Sequence, residues 1–533
     1  MNKTRTISLV MLSCLLVVMM VLSACNNNAN NKVNEAKPAT EEKTEPVVTP
    51  TPEPEPEPEL APVKLRLFHP TGKDTDPDRK LVQDEINKYL QDKGLNAELE
   101  MNGINWSQWF DKAPLILQSG EQADLMFTGS WLNYFNFAKN GAFLPLDELL
   151  EQHGQGIKES LDPRFLQAAA VNGKVYAVPT NKEIAGNGAV FFKKELADKL
   201  GIDIAAVKTG EDLDKVLETV KTKEPGVTPL FHTDNSYIGA FVLKNHPNYH
   251  AEYESISGAP NFNGISPFRY ETKTGKVVYT PELPYEIERY KLLNSWFKKG
   301  YINRDAATTK AQSTDLIKAG KAWTRFGSAK PDSEKEAESG DGIPYYKIVL
   351  DPPMVTTETA TGSMFAIPKK TVDAERAMMV LNLLHTDPKL VNLIVYGIEG
   401  KHYEKVSEGV IKPANGKKTF SENGYFPENN WMIGNQQLNY LSEVESANKW
   451  EMYADYNKNA GQAQLLGFLF NADSLKNEIS ALTNASQEFK ILGSGAVDPD
   501  VVLPKMKKKM MDNGLEKVQA ELQKQIDEWK ASK

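Results

Sequence analysis

The sequence predicts an α/β fold with a largely parallel sheet, on three observations. Strand-like and helix-like segments alternate from residue 63 to residue 128, the rhythm of strand–helix–strand units. Residues 173–183, GKVYAVPTNKE, begin with strand alternation and meet Pro179, which has no N–H for a ladder. They then run at once into Thr180, Asn181, Lys182 and Glu183. Aromatic residues recur beside polar turns at several predicted strand ends. The second observation reads either as an ordinary strand-to-loop exit or as a hinge. In a hinge the chain leaves one lobe, crosses a cleft and shows polar side chains to a ligand.

The first strand covers residues 63–68, and His69-Pro70-Thr71-Gly72 ends it. A helix follows, with Asp76 as N-cap, Pro77 in the first helical position, Val82, Ile86 and Leu90 on one face, and Gly94 as its stop. Residues 97–101 form a second strand and 124–128 a third. Between them, 104–117 is a helix that begins near Trp106, Trp109 and Phe110. In such sheets ligands sit beyond the carboxyl ends of the strands, here residues 69–73, 102–106 and 128–131. Further strands are expected at 188–192 and 363–368, and helices ending at Leu200, over 213–220, over 284–299 and from 373. Ile287, Tyr290, Leu293 and Trp296 share one face of the 284–299 helix and are expected in the core. Residues 244–280 read as a polar, aromatic-rich insertion. Leu515, Val518, Leu522, Ile526 and Trp529 mark a last helix.

The chain of 533 residues is 40% apolar and 25% charged, enough for a large core and several domain-sized units. A net charge of −9 and a pI near 5.6 argue against a nucleic-acid-binding surface, whose footprint is basic. Lys3 and Arg5 precede an apolar run at 7–22 that is short for a membrane span and has the form of a secretory signal. Leu22-Ser23-Ala24-Cys25 then matches the lipobox of bacterial lipoproteins, which implies cleavage before Cys25 and a diacylglycerol on its sulfur. The alternative is a plain signal peptide with an incidental cysteine. Cys14 leaves with the signal, so the mature body holds no internal disulfide, no thiol catalyst and no cysteine metal site. Residues 26–62 form an Asn-, Pro- and Glu-rich tether with eight glutamates against three lysines, a charge of −5. Such a segment cannot build a core. Its Pro-Glu repeat would span about 30 Å and hold the body off the membrane.

No signature of a hydrolase nucleophile, zinc protease or phosphate loop is present. Asp74, Asp76 and Asp78 with Glu85 imitate a calcium loop, but Arg79 stands where the sharp turn requires glycine, and helix-capping acids explain the residues better. His246 and His250 have zinc-ligand spacing, yet Pro247 resists a helix through the pair and no acidic third ligand is near. No metal and no cofactor is expected. Carboxylates are abundant enough to hide a glycosidase pair. What stands out is aromatic: Trp106, Trp131, Trp323 beside Arg325, Tyr425 and Trp431 lie by polar turns. Flat apolar faces with a polar edge suit the C–H face of a sugar ring.

The order of these parts resembles the extracellular solute-binding proteins of bacterial ABC sugar importers. It is closest in kind to the large Gram-positive LplA/LipO-like lipoproteins with an extra C-terminal domain. The residues that carry the resemblance are the lipobox, ADLMFTGSW at 123–131, GKVYAVPTNKE, FFKKELADKLGID at 191–203, and AGKAWTRFGS at 319–328. Further on come SMFAIPKKTVDAERAMMVLNLLHTDP at 363–388, YGIEGKHYEKV at 396–406 and ASQEFKILGSGAVDP at 485–499. The resemblance implies a two-lobed, periplasmic-binding-protein-like type II fold. The first lobe would hold residues 63–180 and 358–400, and the second 181–357 and 401–533. It makes Asn181 and Glu183 hinge-side ligand contacts, sets Trp323 and Arg325 on the second lobe's cleft wall and Trp131 on the first. The implied function is capture of a sugar or oligosaccharide by hinge closure, and delivery to permease subunits by a lipid-anchored monomer on the outer face of the cytoplasmic membrane. The alternatives are a secreted lipoprotein glycoside hydrolase with a carboxylate pair, and a sensor or adhesin that binds without transport.

Overall fold

The computed structural model describes residues 60–72, 76–232, 249–262 and 265–533. The signal, Cys25, most of the tether, Asp74 and His246 lie outside the described residues. Among the described residues, no helix is long and apolar enough to cross a membrane.

The alternation after residue 63 folds as β1 (Val63–Thr71), with Leu65 and Leu67 wholly buried. The Val82, Ile86 and Leu90 stripe folds as α1 (Arg79–Asp92) with those three side chains inward. β2 (Ala97–Asn105), α2 (Trp106–Ser119) and β3 (Leu125–Thr128) complete the run. β1 pairs in parallel with both β2 and β3. Two further strands extend the sheet: Met364–Ala366 lies antiparallel between β3 and Ala177–Pro179, which runs in the direction of β3. The chain therefore returns to the first lobe late, as the two-lobed reading requires.

The core beneath this sheet runs further along the chain than residue 400, where the sequence reading ended the lobe. Tyr403, Ile411, Phe420, Met432 and Ile433 share it. The physical reason is Tyr396 at the end of the helix Pro388–Tyr396, whose ring meets those of Phe420 at 5.2 Å and Tyr403 at 6.4 Å and draws the following hairpin back. Tyr425, expected by the cleft, is buried in the same core, and its hydroxyl donates to the Ile394 carbonyl at 2.6 Å.

The second lobe is built on an antiparallel sheet with Gly188–Lys193 between Thr324–Ser328 and Tyr345–Val349. One face packs Val190, Phe192 and Ile348 against Leu213, Leu217, Leu293 and Trp296 of the helices Gly210–Lys223 and Pro284–Lys299. Trp323 belongs to this core and not to the cleft. It precedes its strand, is wholly buried, meets Phe192 edge-on at 4.9 Å and donates its indole N–H to the Lys193 carbonyl at 3.1 Å.

The insertion is a structural partner of the C-terminus. Its strands Phe268–Glu271 and Lys276–Tyr279 pair antiparallel, and Ile256, Phe262, Phe268 and Val277 share one core with Leu482, Phe489, Met506, Leu522 and Ile526. Among the described residues, the chain passes from the first-lobe core to the second-lobe cores between Ala185 and Ala189, returns between Leu350 and Val355, and leaves again after Leu466. Gly186 and Met354 exchange backbone hydrogen bonds of 2.9 and 3.1 Å. Met354–Val355 pairs in parallel with Gly461–Gln462.

Trp323→Ala is expected to destabilise the protein by about 3–5 kcal/mol through the cavity it leaves. Denaturant unfolding measures this, and a loss under about 1 kcal/mol would contradict the core placement.

Candidate functional site

Two of the aromatics at the first lobe's rim, Trp106 and Trp131, are placed by strand ends. Asn105 ends β2, and its side chain accepts the Ser107 N–H at 2.9 Å, which starts α2 and presents Trp106 in its first turn. β3 ends at Thr128, and Gly129 follows with no room for a side chain, since a Cβ there would lie 2.9 Å from the Gly362 carbonyl oxygen. That close approach lets the Trp131 indole N–H donate to the same oxygen at 2.7 Å. Its edge is held while 48% of the residue stays open to solvent. Trp431 arrives from the late part of the first lobe and stacks on Trp106, with centroids 6.3 Å apart and planes 8° from parallel. Trp131 is 5.7 Å from Trp106, and exposed Phe110 is 6.2 Å from Trp131. Phe110, Trp131, Trp106 and Trp431 thus form one strip of rings. Lys182 closes it, its ammonium 5.6 Å over Trp431.

Beside Trp131 opens a cavity of about 1260 Å³ between the lobes. Asn136 and Lys139 line it from the first lobe, Asn187, Asp351 and Glu358 from the crossings, and His250 and Arg269 from the insertion side. Several of these groups are already fixed. Asp351 accepts the Gly188 N–H at 2.7 Å and meets His250 at 3.1 Å. Asn187 donates to the Asp351 carbonyl at 2.9 Å and accepts the Tyr456 hydroxyl at 2.7 Å. One Glu358 carboxylate oxygen has no hydrogen-bond partner among the described residues. Fixed polar groups around an open aromatic face can orient a polyhydroxyl ligand without first reorganising.

The hinge residues are braces. Asn181 is only 6% exposed; its amide donates to the Ser160 carbonyl at 2.8 Å and its backbone N–H to Gly434 at 2.9 Å. Glu183 sits in a buried run of charges, 3.0 Å from Lys182 and 3.8 Å from Lys330. Lys330 meets Glu336 at 3.0 Å, and Glu336 faces Lys449 at 3.8 Å. Burial alone would raise the Glu336 carboxyl, but Lys330 and Lys449 outweigh it and hold it at about 2. Glu183 is likewise held below its ordinary value, with Lys182 and Lys330 overcoming burial.

Of the residues expected at the site, Trp106, Trp131 and Trp431 come together, while Asn181 and Glu183 hold the hinge. Trp323 and Tyr425 are core. Arg325 does not line the cavity: it sits between Phe191 and Tyr345, 3.3 Å from Asp341. Strand pairing explains this, because Arg325 lies opposite Phe191 and shares its side of the sheet. Residues not foreseen are Phe110, Lys182, Asn187, Asp351 and Glu358. Lys182 lay inside the hinge motif and Phe110 among the aromatics at the start of the 104–117 helix; Asn187, Asp351 and Glu358 carry no local signal. At the calcium-like spacing, Asp78 meets Lys401 and His402 at 3.3 and 3.2 Å and Asp76 meets Arg79 at 3.6 Å. Cationic side chains already serve those carboxylates. Among the described residues no group of three or more His, Cys, Asp and Glu is placed to hold a metal ion.

Residues 72–387 match the family model described as bacterial extracellular solute-binding protein. The chain belongs to that family. Residues 464–531 of this solute-binding protein match a second model, a domain of unknown function, DUF3502. The chain is similar, at 30% identity over 523 residues and 96% of both chains, to a carbohydrate ABC transporter substrate-binding protein of Streptococcus pneumoniae. It also resembles the crystal structure of an N-glycan transport solute-binding protein, NgtS, from that organism. The TM-score is 0.75 at 29% identity, covering 88% of this chain and 99% of that one. Structures of NgtS in complex with Man1GlcNAc and Man5GlcNAc give TM-scores of 0.71 and 0.68 at 28% identity, covering 87% and 89% of this chain and 99% of each of theirs. The two-lobed, periplasmic-binding-protein-like fold holds.

The charge run makes an acid prediction. Glu336 is depressed from about 4.5 to about 2, so its stabilisation is complete above pH 4.5 and is lost as pH falls through 2. Glu336→Gln is expected to cost about 3 kcal/mol at pH 7, the low end for a broken buried pair, because the side chain keeps 21% exposure. It should also flatten the fall in stability between pH 4.5 and 2. Denaturant melts at pH 7 and 3 check this, and equal acid sensitivity of variant and wild type would contradict it.

Proposed function

We propose that this protein captures an oligosaccharide in the interlobe cleft, closes on it and delivers it to the membrane permease subunits of an ABC importer. The observation that carries the reading is the strip Phe110, Trp131, Trp106 and Trp431, whose Trp131 lines a cavity of about 1260 Å³ set with polar groups. A sugar ring has apolar C–H faces and a polar rim, so it gains from an open indole face below and fixed hydrogen-bonding groups around it. The size exceeds the roughly 300–1,000 Å³ of ordinary small-ligand pockets, which favours more than one ring. The complexes of the related NgtS with Man1GlcNAc and Man5GlcNAc make N-glycan fragments the first saccharides to try.

Closure follows from where the contacts lie. Trp131 belongs to the first lobe and Arg269 to the insertion packed on the second, so a ligand that touches both favours the closed form by that differential. The reading is of a binding protein and not an enzyme. Of the four carboxylates that line the cavity, Glu254, Asp351, Glu358 and Asp473, two are held by backbone: Asp351 accepts the Gly188 N–H, and Glu254 accepts the N–H groups of Gln464 and Leu465. The family places the body outside the cytoplasm. The lipobox supports an anchor through diacylglycerol on Cys25, with residues 26–62 as its spacer and a monomer as the working unit.

Titration calorimetry with Man1GlcNAc and Man5GlcNAc tests the saccharide reading. Trp131→Ala is expected to weaken binding about tenfold or more, the worth of one lost ring contact, with the free protein's melting temperature nearly unchanged. Unaltered affinity in the variant would sink the role of the strip. Cys25→Ala is expected to move the protein from the membrane fraction to the culture medium; retention in the membrane would count against the lipid.

A further inference from the structure

The C-terminal residues 464–531 match a domain to which no function is attached. We propose that this domain is a third wall of the ligand cleft, and that Asn471, Lys476 and Ser480 hold the far end of a long saccharide and so set the chain length accepted. The inference rests on the saccharide reading above and adds to it a role for a separate part of the chain.

Three observations carry it. The first is position: Asn471, Lys476 and Ser480 line the same cavity as Trp131 and Glu358. All three are exposed; the Asn471 side-chain oxygen accepts the Asp473 N–H at 3.0 Å and Lys476 lies 3.7 Å from the Asp473 carboxylate, which leaves the Asn471 NH2, the rest of the Lys476 ammonium and the Ser480 hydroxyl for a ligand. Lys476 and Ser480 are four residues apart on the helix Lys476–Ser486, hence on one face, while Leu482 and Ala485 on the other side are buried in the domain's core. The helix is therefore divided between a packing face and a cavity face.

The second is rigidity. The domain shares its core with the insertion, through Phe268 and Val277 against Leu522 and Ile526. Buried Glu254 accepts two N–H groups at its entry, at 2.7 and 3.1 Å. Asn294 of the second lobe donates to the carbonyls of Gly495 and Val497, both at 2.8 Å. The body of the domain is thus fixed to the second lobe and its insertion, while Leu466 and Leu469 at its entry touch first-lobe clusters.

The third is what it faces. Leu469 packs on the first-lobe cluster of Tyr134 and Phe135, and Asp473 lines the cavity together with Lys139 of the first lobe. The wall therefore reaches across the mouth to the other lobe. Its chemistry differs from that of the aromatic strip: an ammonium with three donors, an amide and a hydroxyl are suited to hydroxyl groups and offer no ring to stack on. A short saccharide satisfied by Trp131 would not reach it, whereas a long one would gain contacts there.

The test is calorimetry on the full-length protein with two probes, Man1GlcNAc and Man5GlcNAc. The comparison is among wild type, the triple variant Asn471→Ala, Lys476→Ala, Ser480→Ala, and Trp131→Ala. The triple variant is expected to lose about tenfold or more in affinity for Man5GlcNAc and to stay within about twofold of wild type for Man1GlcNAc. Trp131→Ala is expected to lose affinity for both. The altered side chains are exposed, so an unchanged melting temperature confirms that the triple variant is folded. A triple variant that loses both glycans alike, or neither, overturns the third-wall proposal and leaves the saccharide reading standing. Binding of neither glycan by wild type overturns both.

Discussion

The Lys330 ammonium, buried between Glu183 on a crossing and Glu336 on the second lobe, is the constraint on which the rest of the architecture depends. A lone buried cation is costly, and a pair of carboxylates offsets that cost only when their geometry is held. Here one carboxylate comes from the segment that leaves the first lobe and the other from a helix of the second. Satisfying Lys330 therefore fixes where the chain crosses. The Gly186–Met354 backbone pair and the Gly461–Gln462 strand then stack alongside. Lys182, next to Glu183, is carried over Trp431 by the same placement.

With the crossing fixed, the two sides of the cleft divide the work. The first lobe presents rings, and the crossings and insertion present polar groups, of which Asn187 and Asp351 are already held by hydrogen bonds. Exposed aromatic side chains at the rim, Phe110 and Trp131, are the kind of apolar surface a soluble protein keeps for contact with something else. The indole N–H of Trp131 is spent on Gly362, so what remains for a ligand is its face. That favours a partner with apolar C–H surface and a hydroxylated rim, which joins the geometry to the family to which the chain belongs.

Much of the first lobe was legible because its signals are local. Val82, Ile86 and Leu90 announce a helix by spacing, and Trp131 stands three residues past a strand whose end at Thr128 could be placed by alternation, whereas the strand before Trp106 runs four residues beyond the expected end at 101, to Asn105. Other features depend on contacts between distant parts of the chain. Trp323 and Arg325 stand two positions apart in the same motif, yet one fills a core and the other lies by Phe191, a division set by strand pairing. Tyr425 looked like a site aromatic because its neighbours are polar; its partner, the Ile394 carbonyl, lies 31 residues away. The union of the insertion with the last helices joins residues more than two hundred positions apart and leaves no periodicity to read.

The most direct measurement is a crystal structure of the protein grown with Man5GlcNAc. The C–H face of a sugar ring is expected against the Trp131 indole, with further rings running into the cavity toward Asp351 and Glu358 and the Glu183–Lys330–Glu336 contacts still in place. Ordered saccharide bound elsewhere on the surface, with Trp131 bare and the cleft filled by solvent, would contradict the central claim.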